Sequence, residues 1–313
     1  MRLLALRVAT GAGSARRAAH SRARAAGSKS RQQLIRADMP SSELLFGVWP
    51  VKAALAEGRR IVYGAYLQSD YDDDLPRIQH ESICETLRAS GVPFRQAPKA
   101  ALDGAVARQA HQGVVLKVGR YDPPRVRSVT PLADGRYCVV PAKGESIRHK
   151  PRRRLPLWLY LDEIQDPHNL GSMLRSALFF GADAVLTPAQ HVCRTTPLVS
   201  KISAGAMEAL ALYRTAVPLD FLRGAQAAGW AVVCASPSGA PAPAPLPPLP
   251  PPLARPTILV IGGEAYGVSK DIEDLADARV HIPAPAALPP HADSLNAGVA
   301  AGILLSQLRF SGE

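Results

Sequence analysis

Three short stretches of this 313-residue chain carry side chains whose types and spacing could do chemistry. The first is DEIQDPHNLGSMLRSALFFGADAVL, from Asp162 to Leu186, which reads as a strand end, a polar turn, a helix and the start of another strand. Asn169 can cap that helix, and Gly171 lets another chain approach its N-terminus. Free amides at a helix start favour a phosphate, and Arg175, six residues on, can offer a planar fork of donors to the same anion. The second stretch is PTILVIGGEAYGVSKDIED, in which a buried strand, Thr257 to Ile261, runs into Gly262, Gly263 and Gly267 around one acid, Glu264. A Gly-rich turn after a parallel strand lies where such sheets bind ligands, although the spacing is not that of a dinucleotide fingerprint. The third is VHIPAPAALPPHADSLNAGVAAGILLSQL, a short strand ending at Ile282, a Pro-rich loop, then Ser294, Leu295 and Asn296 before a helix. Its small residues Ala297, Ala300, Ala301 and Gly302 allow close backbone approach. Each stretch also has a bland account when read alone: a capped helix with a surface arginine, a glycine turn, and an amphipathic helix capped by Ser294.

The elements that must hold these residues in place follow from the hydrophobic pattern. From Leu155 onward strands alternate with helices, which predicts an α/β domain with a parallel sheet over 155–313. It is interrupted at 236–256 by SPSGAPAPAPLPPLPPPLARP, too rich in proline for a helix or a central strand and read as a partly polyproline insertion. Residues 39–122 predict a small α/β domain. There ELLFGVWPVKAALAEG reads as an amphipathic helix stopped by Gly58, RIVYGAYLQ as a strand, ICETLRASG as a helix and HQGVVLKVGRY as a closing strand. Between the two domains, 123–154 reads as a linker rich in Pro and Arg that ends in RHKPRRR.

Composition narrows the class. The chain carries 37 Lys and Arg against 26 Asp and Glu, a formal net charge of +11. Nine of those basic residues lie in 1–37, where Asp38 is the first acid. Arg-rich, Ser-containing and acid-free, 1–38 predicts a mitochondrial presequence, with a basic nucleic-acid-binding arm as the alternative. Without it the balance is 28 basic against 26 acidic, so charge alone is a weak pointer to RNA. No apolar run approaches the roughly 20 residues that span a bilayer, so no membrane partner is expected. Four scattered cysteines, with no CxxC pair and no histidine at zinc spacing, suit a reducing compartment and predict no metal site.

Taken in order, D-P-x-N-x-G-x-x-x-R, G-x-E-x-x-G and S-L-N before a small-residue helix resemble the motifs of the SpoU family of RNA ribose 2'-O-methyltransferases. VSKISAGAMEAL, from Val199 to Leu210, is similar to the family's segment between the first two motifs. LLFGVWPVKAALAEGRR and HQGVVLKV resemble the small RNA-binding domain that precedes it in many members, so the likeness runs from about Leu44 to Leu308. The resemblance implies the SPOUT α/β fold with a deep trefoil knot and S-adenosylmethionine as methyl donor; together with the small-residue surface from Ala297 to Gly302, it predicts a homodimer joined through the C-terminal domain. With the presequence, it implies a guanosine of mitochondrial large-subunit rRNA as substrate and the mitochondrial matrix as location. A tRNA methyltransferase and a silent RNA-binding assembly factor stay open as alternatives. Carried over by position, Arg175 matches the catalytic arginine, and Asn169, Glu264, Ser294 and Asn296 the polar residues around it. Gly262, Ile282 and Leu295 match the cofactor contacts. The chain departs from the family at Gly263, where an Asn is usual, and at Ala297 and Gly298, where S-L-N usually continues V-S.

Overall fold

A computed structural model of the protein describes residues 41–70, 77–236, 255–263, 266–283 and 295–310. The presequence, most of the proline-rich insertion, Glu264 and Ser294 lie outside them. The chain runs through β1 (Ser42–Phe46), α1 (Val48–Glu57), β2 (Val62–Gln68), α2 (Arg77–Ala89), β3 (Phe94–Ala97), α3 (Lys99–Ala105) and β4 (Val114–Gly119). Strands β5 (Val126–Pro131), β6 (Tyr137–Pro141) and β7 (Ile147–His149) follow, then β8 (Leu157–Asp162), α4 (Pro167–Phe179) and β9 (Ala184–Pro188). Next come α5 (Pro197–Ile202), α6 (Ala206–Ala209), β10 (Ala211–Thr215), α7 (Pro218–Ala227) and β11 (Ala231–Ala235). The last elements are β12 (Thr257–Gly262), α8 (Lys270–Leu275), β13 (Ala278–Val280) and α9 (Ala297–Phe310). Residues divide into two compact units, one of 1–121 with 196–208 and the other of 122–195 with 209–313.

The first unit is a four-stranded sheet in the order β1-β4-β2-β3, packed against α1 and α2. The single long helix expected from Glu43 to Gly58 is in fact a strand and a helix. Gly47 adopts φ 93°, which ends β1, and Leu45 and Phe46 pair with β4 and are buried there. Gly58 does stop α1: at φ 61° its amide returns to the Ala54 carbonyl. A later piece of chain completes the unit. Gly205, at φ +85°, lies so close to α1 that a Cβ there would meet the Trp49 carbonyl oxygen and Ala53 Cβ at 2.8 Å. Glu208 is bound to Arg60 by two bonds, Nε to Oε2 at 2.7 Å and Nη2 to Oε1 at 2.8 Å, and both residues are buried. The Ser200 hydroxyl donates to the same carboxylate at 2.8 Å, and Arg60 also pairs with Glu43. The sequence division had placed 196–208 wholly in the C-terminal domain; this buried ion network is what ties it to the first unit.

The second unit is a six-stranded, all-parallel sheet in the order β10-β9-β8-β12-β11-β13. Central strands of such sheets are covered on both faces, so they read as continuous apolar runs. β8 (LWLYLD) is buried along its whole length, and β12 beside it from Thr257 to Ile261. The expected linker 123–154 is instead a folded antiparallel meander, β5-β6-β7. Its alternate residues Val126, Val129, Tyr137 and Val139 are buried in the core, with Trp158, Phe221 and Trp230. The Trp158 ring centroid lies 5.4 Å from Tyr213, 5.7 Å from Trp230 and 5.9 Å from Tyr137. That aromatic cluster is why a stretch rich in Pro and Arg still folds: four inward side chains fill space that β8 and α7 leave open.

Candidate active site

In a parallel sheet, ligands sit beyond the carboxyl ends of strands where the strand order reverses. Here the chain leaves β8 toward β9 and β10, then returns on the other side through β11 and β12. The reversal therefore lies between β8 and β12, whose last residues Asp162 and Gly262 are paired. Asp162 is buried, and its carboxylate accepts from the Ser269 amide at 2.8 Å and from the Tyr160 hydroxyl at 3.3 Å. Burial and then the Asp162 charge push the Tyr160 phenol well above its usual range, so it stays a proton donor to that carboxylate. The loop after β12 is thereby tied down from below. It also folds back on itself: the Gly267 amide donates to the Gly263 carbonyl at 2.9 Å. A Cβ at Gly262 would lie 2.0 Å from the Gly267 carbonyl group, so only glycine fits.

The helix that follows β8 is capped by Asp166, not by Asn169 as the sequence suggested. The Asp166 carboxylate accepts from the Asn169 amide at 2.8 Å, and Pro167 fills the first helical position, where no amide is needed. This frees the Asn169 side chain for another task. Its Oδ1 accepts from Asn296 Nδ2 at 2.8 Å. Asn296 Oδ1 in turn accepts from the Gly298 and Val299 amides at 3.0 and 3.2 Å, which makes Asn296 a cap of α9. Two helix starts, 127 residues apart, are stitched by one amide pair. Farther along, a Cβ at Gly298 would sit 2.2 Å from the Ser172 hydroxyl oxygen, and one at Gly302 3.5 Å from that of Ser176. The small residues of α9 thus let it pack tightly on α4. Ser172, whose hydroxyl donates to the Asn169 carbonyl at 2.9 Å, fills space that a side chain at 298 would need. The family departure at Gly298 is matched by its neighbour.

Arg175 faces elsewhere. Six residues past Asn169 is about 1.7 helical turns, so the two side chains leave α4 in different directions. Asn169 is buried, whereas Arg175 is exposed and has no ion pair among the described residues. Of the other expected contacts, Ile282 is half-buried just past β13, which ends at Val280, and Leu295 is half exposed before Asn296. Sequence reasoning missed Asp162, and it carried Asp166 only as the first residue of the D-P-x-N motif, without its capping role. Asp166 had a readable signal, an acid directly before a proline at a helix start; Asp162 had only its place as the one charge ending an apolar strand. Among the described residues no group of three or more His, Cys, Asp and Glu is placed to hold a metal ion.

Residues 156–306 match the SpoU rRNA Methylase family, and residues 44–124 match the RNA 2'-O ribose methyltransferase substrate-binding family. The human protein rRNA methyltransferase 1, mitochondrial, is 34% identical over 272 residues, covering 85% of this chain and 72% of that protein. The chain belongs to the SpoU rRNA methylase family. The 23S rRNA (guanosine-2'-O-)-methyltransferase RlmB of Photobacterium profundum is 29% identical over 266 residues, 85% of this chain and 96% of its own length. Among solved structures, the SpoU methyltransferase AviRb of Streptomyces viridochromogenes, crystallised in complex with AdoMet, superposes with a TM-score of 0.59 at 21% identity. It covers 88% of this chain and 95% of AviRb, so the SpoU fold extends across both units.

Proposed function

We propose that this SpoU protein transfers a methyl group from S-adenosylmethionine to the ribose 2'-oxygen of a guanosine in mitochondrial large-subunit rRNA. The observation that carries the reading is Arg175, an exposed arginine with no ion pair among the described residues. It stands on a helix whose start is fixed at the carboxyl ends of β8 and β12. The names of the human and Photobacterium relatives support the rRNA and guanosine parts. The basic, acid-free residues 1–37, with the mitochondrial relative, support a place in the matrix.

The residues present fit the cofactor. Gly262 lets the backbone of Gly267 close in over the end of β12, where the Gly267 amide bonds to the Gly263 carbonyl, and Ile282 and Leu295 offer apolar surface. Gly262, Ile282 and Leu295 would hold S-adenosylmethionine, which when bound supplies a methyl group already activated on sulfonium. The chain must then place a weak nucleophile, a ribose hydroxyl, and help it lose one proton. A guanidinium offers donors and no acceptor, so the role of Arg175 is to hold the neighbouring phosphate and stabilise charge developing on the 2'-oxygen. Asn169 and Asn296 lock the two helix starts against each other; the family resemblance gives Glu264 and Ser294, outside the described residues, a polar role in the reaction.

Two further parts belong to this reading. We infer that the chain after β12 threads the trefoil knot of the SPOUT class; the insertion of β12 between β8 and β11 supports it. We also infer a homodimer. Ala297, Ala301 and Gly298 are used within the subunit, so the support moves to the outer side of the same helices. Phe179, Leu295 and Val299 are exposed there beside a hollow of about 630 Å³ lined by Ser172, Phe180 and Ile303, and a second copy is its occupant. Incubating the protein with radiolabelled S-adenosylmethionine and separate transcripts of mitochondrial large-subunit rRNA and tRNA tests the function, with sedimentation for the dimer. Label in a guanosine ribose of the rRNA is expected. Label in tRNA alone would replace the substrate, and cofactor-independent binding without label would replace the activity.

A further inference from the structure

Neither family match covers residues 125–155, so nothing in the family reading accounts for the meander that lies there. Its charge sets it apart. Between Arg125 and Arg154 stand nine basic residues and two acidic ones, Asp134 and Glu145, a net +7 in thirty residues. From Asp38 onward the remaining residues hold 19 basic and 24 acidic, a net −5. The excess positive charge of the body is thus gathered in one small element.

All nine of these side chains are exposed. Arg136 pairs with Asp134 at 3.4 Å, and Arg127 Nε donates to the Pro141 carbonyl at 3.3 Å. Lys143, Arg148, Lys150 and Arg154 have no ion pair among the described residues. The register explains how the sheet presents them. Val139, paired with the exposed Ile147, points into the core, and the next pair, Cys138 with Arg148, lies on the opposite face. β7 has a neighbour only in β6, so Arg148 sits on an open edge.

The run Arg152–Arg154 is also held rather than loose. Pro151 and Pro156 on either side of it are buried. The carboxylate of Asp183 accepts from the Arg152 amide at 2.5 Å and from the Leu157 amide at 2.9 Å, closing the turn at both ends. A buried acid thereby binds main chain and fixes a turn whose three arginines lie at the surface. Charges on an edge strand can serve merely to discourage aggregation, but one or two of either sign suffice for that. Nine of one sign, running past the strand into a pinned turn, suit a polyanion.

We propose that the β5–β7 meander and the Arg152–Arg154 turn form a phosphate-binding surface that grips the RNA substrate away from the methylated ribose. The proposal rests on RNA being the substrate. Each contacted phosphate contributes about 0.7 to the slope of log affinity against log salt for single-stranded RNA. The test is the quadruple variant Lys143→Gln, Arg148→Gln, Lys150→Gln and Arg154→Gln. Its binding to a transcript of mitochondrial large-subunit rRNA is followed by fluorescence anisotropy across a potassium chloride series. The slope should fall by about 3, and affinity near 0.1 M salt by roughly 10- to 100-fold. Turnover at saturating RNA and the dissociation constant for S-adenosylmethionine should change less than twofold. An unchanged slope in a variant with wild-type circular dichroism overturns the surface, and acidic protein partners then become its better match. A wild-type protein that binds the transcript with a steep salt slope yet transfers no methyl group would instead overturn the enzymatic reading and leave this surface standing.

Discussion

Arg60 and Arg175 are the same residue type in opposite states. Arg60 is 3% exposed, with its Nε, Nη1 and Nη2 atoms bonded to Glu208, Glu43 and the Gly119 carbonyl. Arg175 is exposed, with no ion pair among the described residues. A guanidinium buried and fully paired holds chain segments together and has nothing left to offer a ligand. One held on a rigid helix in contact with water keeps its fork for an incoming anion. Arg60 serves cohesion in the first unit, while Arg175 in the second is left exposed, as the proposed role in catalysis requires.

The largest effect should come from breaking the buried network. Arg60→Met leaves Glu208 buried without its cation and should cost about 3–5 kcal/mol in urea unfolding. Adding Glu208→Met should recover most of that loss, because an apolar pair of similar volume is often neutral in place of a buried ion pair. A single variant as stable as wild type would show that Arg60 is not the tie described. Arg175→Ala should do the reverse. Stability should move by no more than about 0.5 kcal/mol, while single-turnover methylation of an rRNA fragment slows by roughly 100- to 1000-fold. Arg175→Lys should restore little, since an ammonium cannot reproduce the planar fork. Near-normal turnover in the alanine variant would remove Arg175 from the reaction.

Gly262→Ala probes the second unit without touching a charge. Its Cβ would meet backbone, which cannot rotate away, so the loop from Gly263 to Gly267 must shift at a cost of about 1–3 kcal/mol. Calorimetric titration should then find weaker S-adenosylmethionine binding with RNA binding little changed; equal loss of both would point to general unfolding. The smallest effect is expected at Asp183, the amide-held counterpart to the ion-paired Glu208. Burial raises its carboxyl pKa above the ordinary value, and the Arg152 and Leu157 amides oppose that. A raised acid binds its proton more tightly when folded, so its contribution to stability is fully present at low pH. It declines as pH rises through the window above the ordinary carboxylate value. Asp183→Asn removes that titration and loses one amide bond, for a net change under about 1 kcal/mol at neutral pH. The variant should gain on wild type in thermal melts as pH rises above the ordinary carboxylate value. A gain on acidification would reverse the assignment.

How much of this could be read beforehand differs from place to place. Gly58 as a helix stop and the parallel sheet from Leu155 were legible because each depends on local geometry or a short apolar period. The split of Glu43–Gly58 into strand and helix was not, since Leu45, Phe46, Val48 and Val51 fit a helical pattern equally well. The pairing of Leu45 and Phe46 with β4, some seventy residues away, decides it. The meander failed for a similar reason. Its inward Val126, Val129, Tyr137 and Val139 are spaced among prolines and arginines that dominate the composition.

The sequence by itself determined the family, because the order of three polar motifs reflects chemistry that few other chains need. It also put Arg175, Asn169 and Asn296 forward as residues of one site, without saying which touches which. Only the tertiary structure decided that Asn169 faces Asn296 while Asp166 takes the cap, because two amide groups 127 residues apart must meet before either can be satisfied. It likewise decided that Arg60 is structural and Arg175 available. A guanidinium's role is set by the water and carboxylates around it, and those come from chain segments that sequence spacing does not bring together.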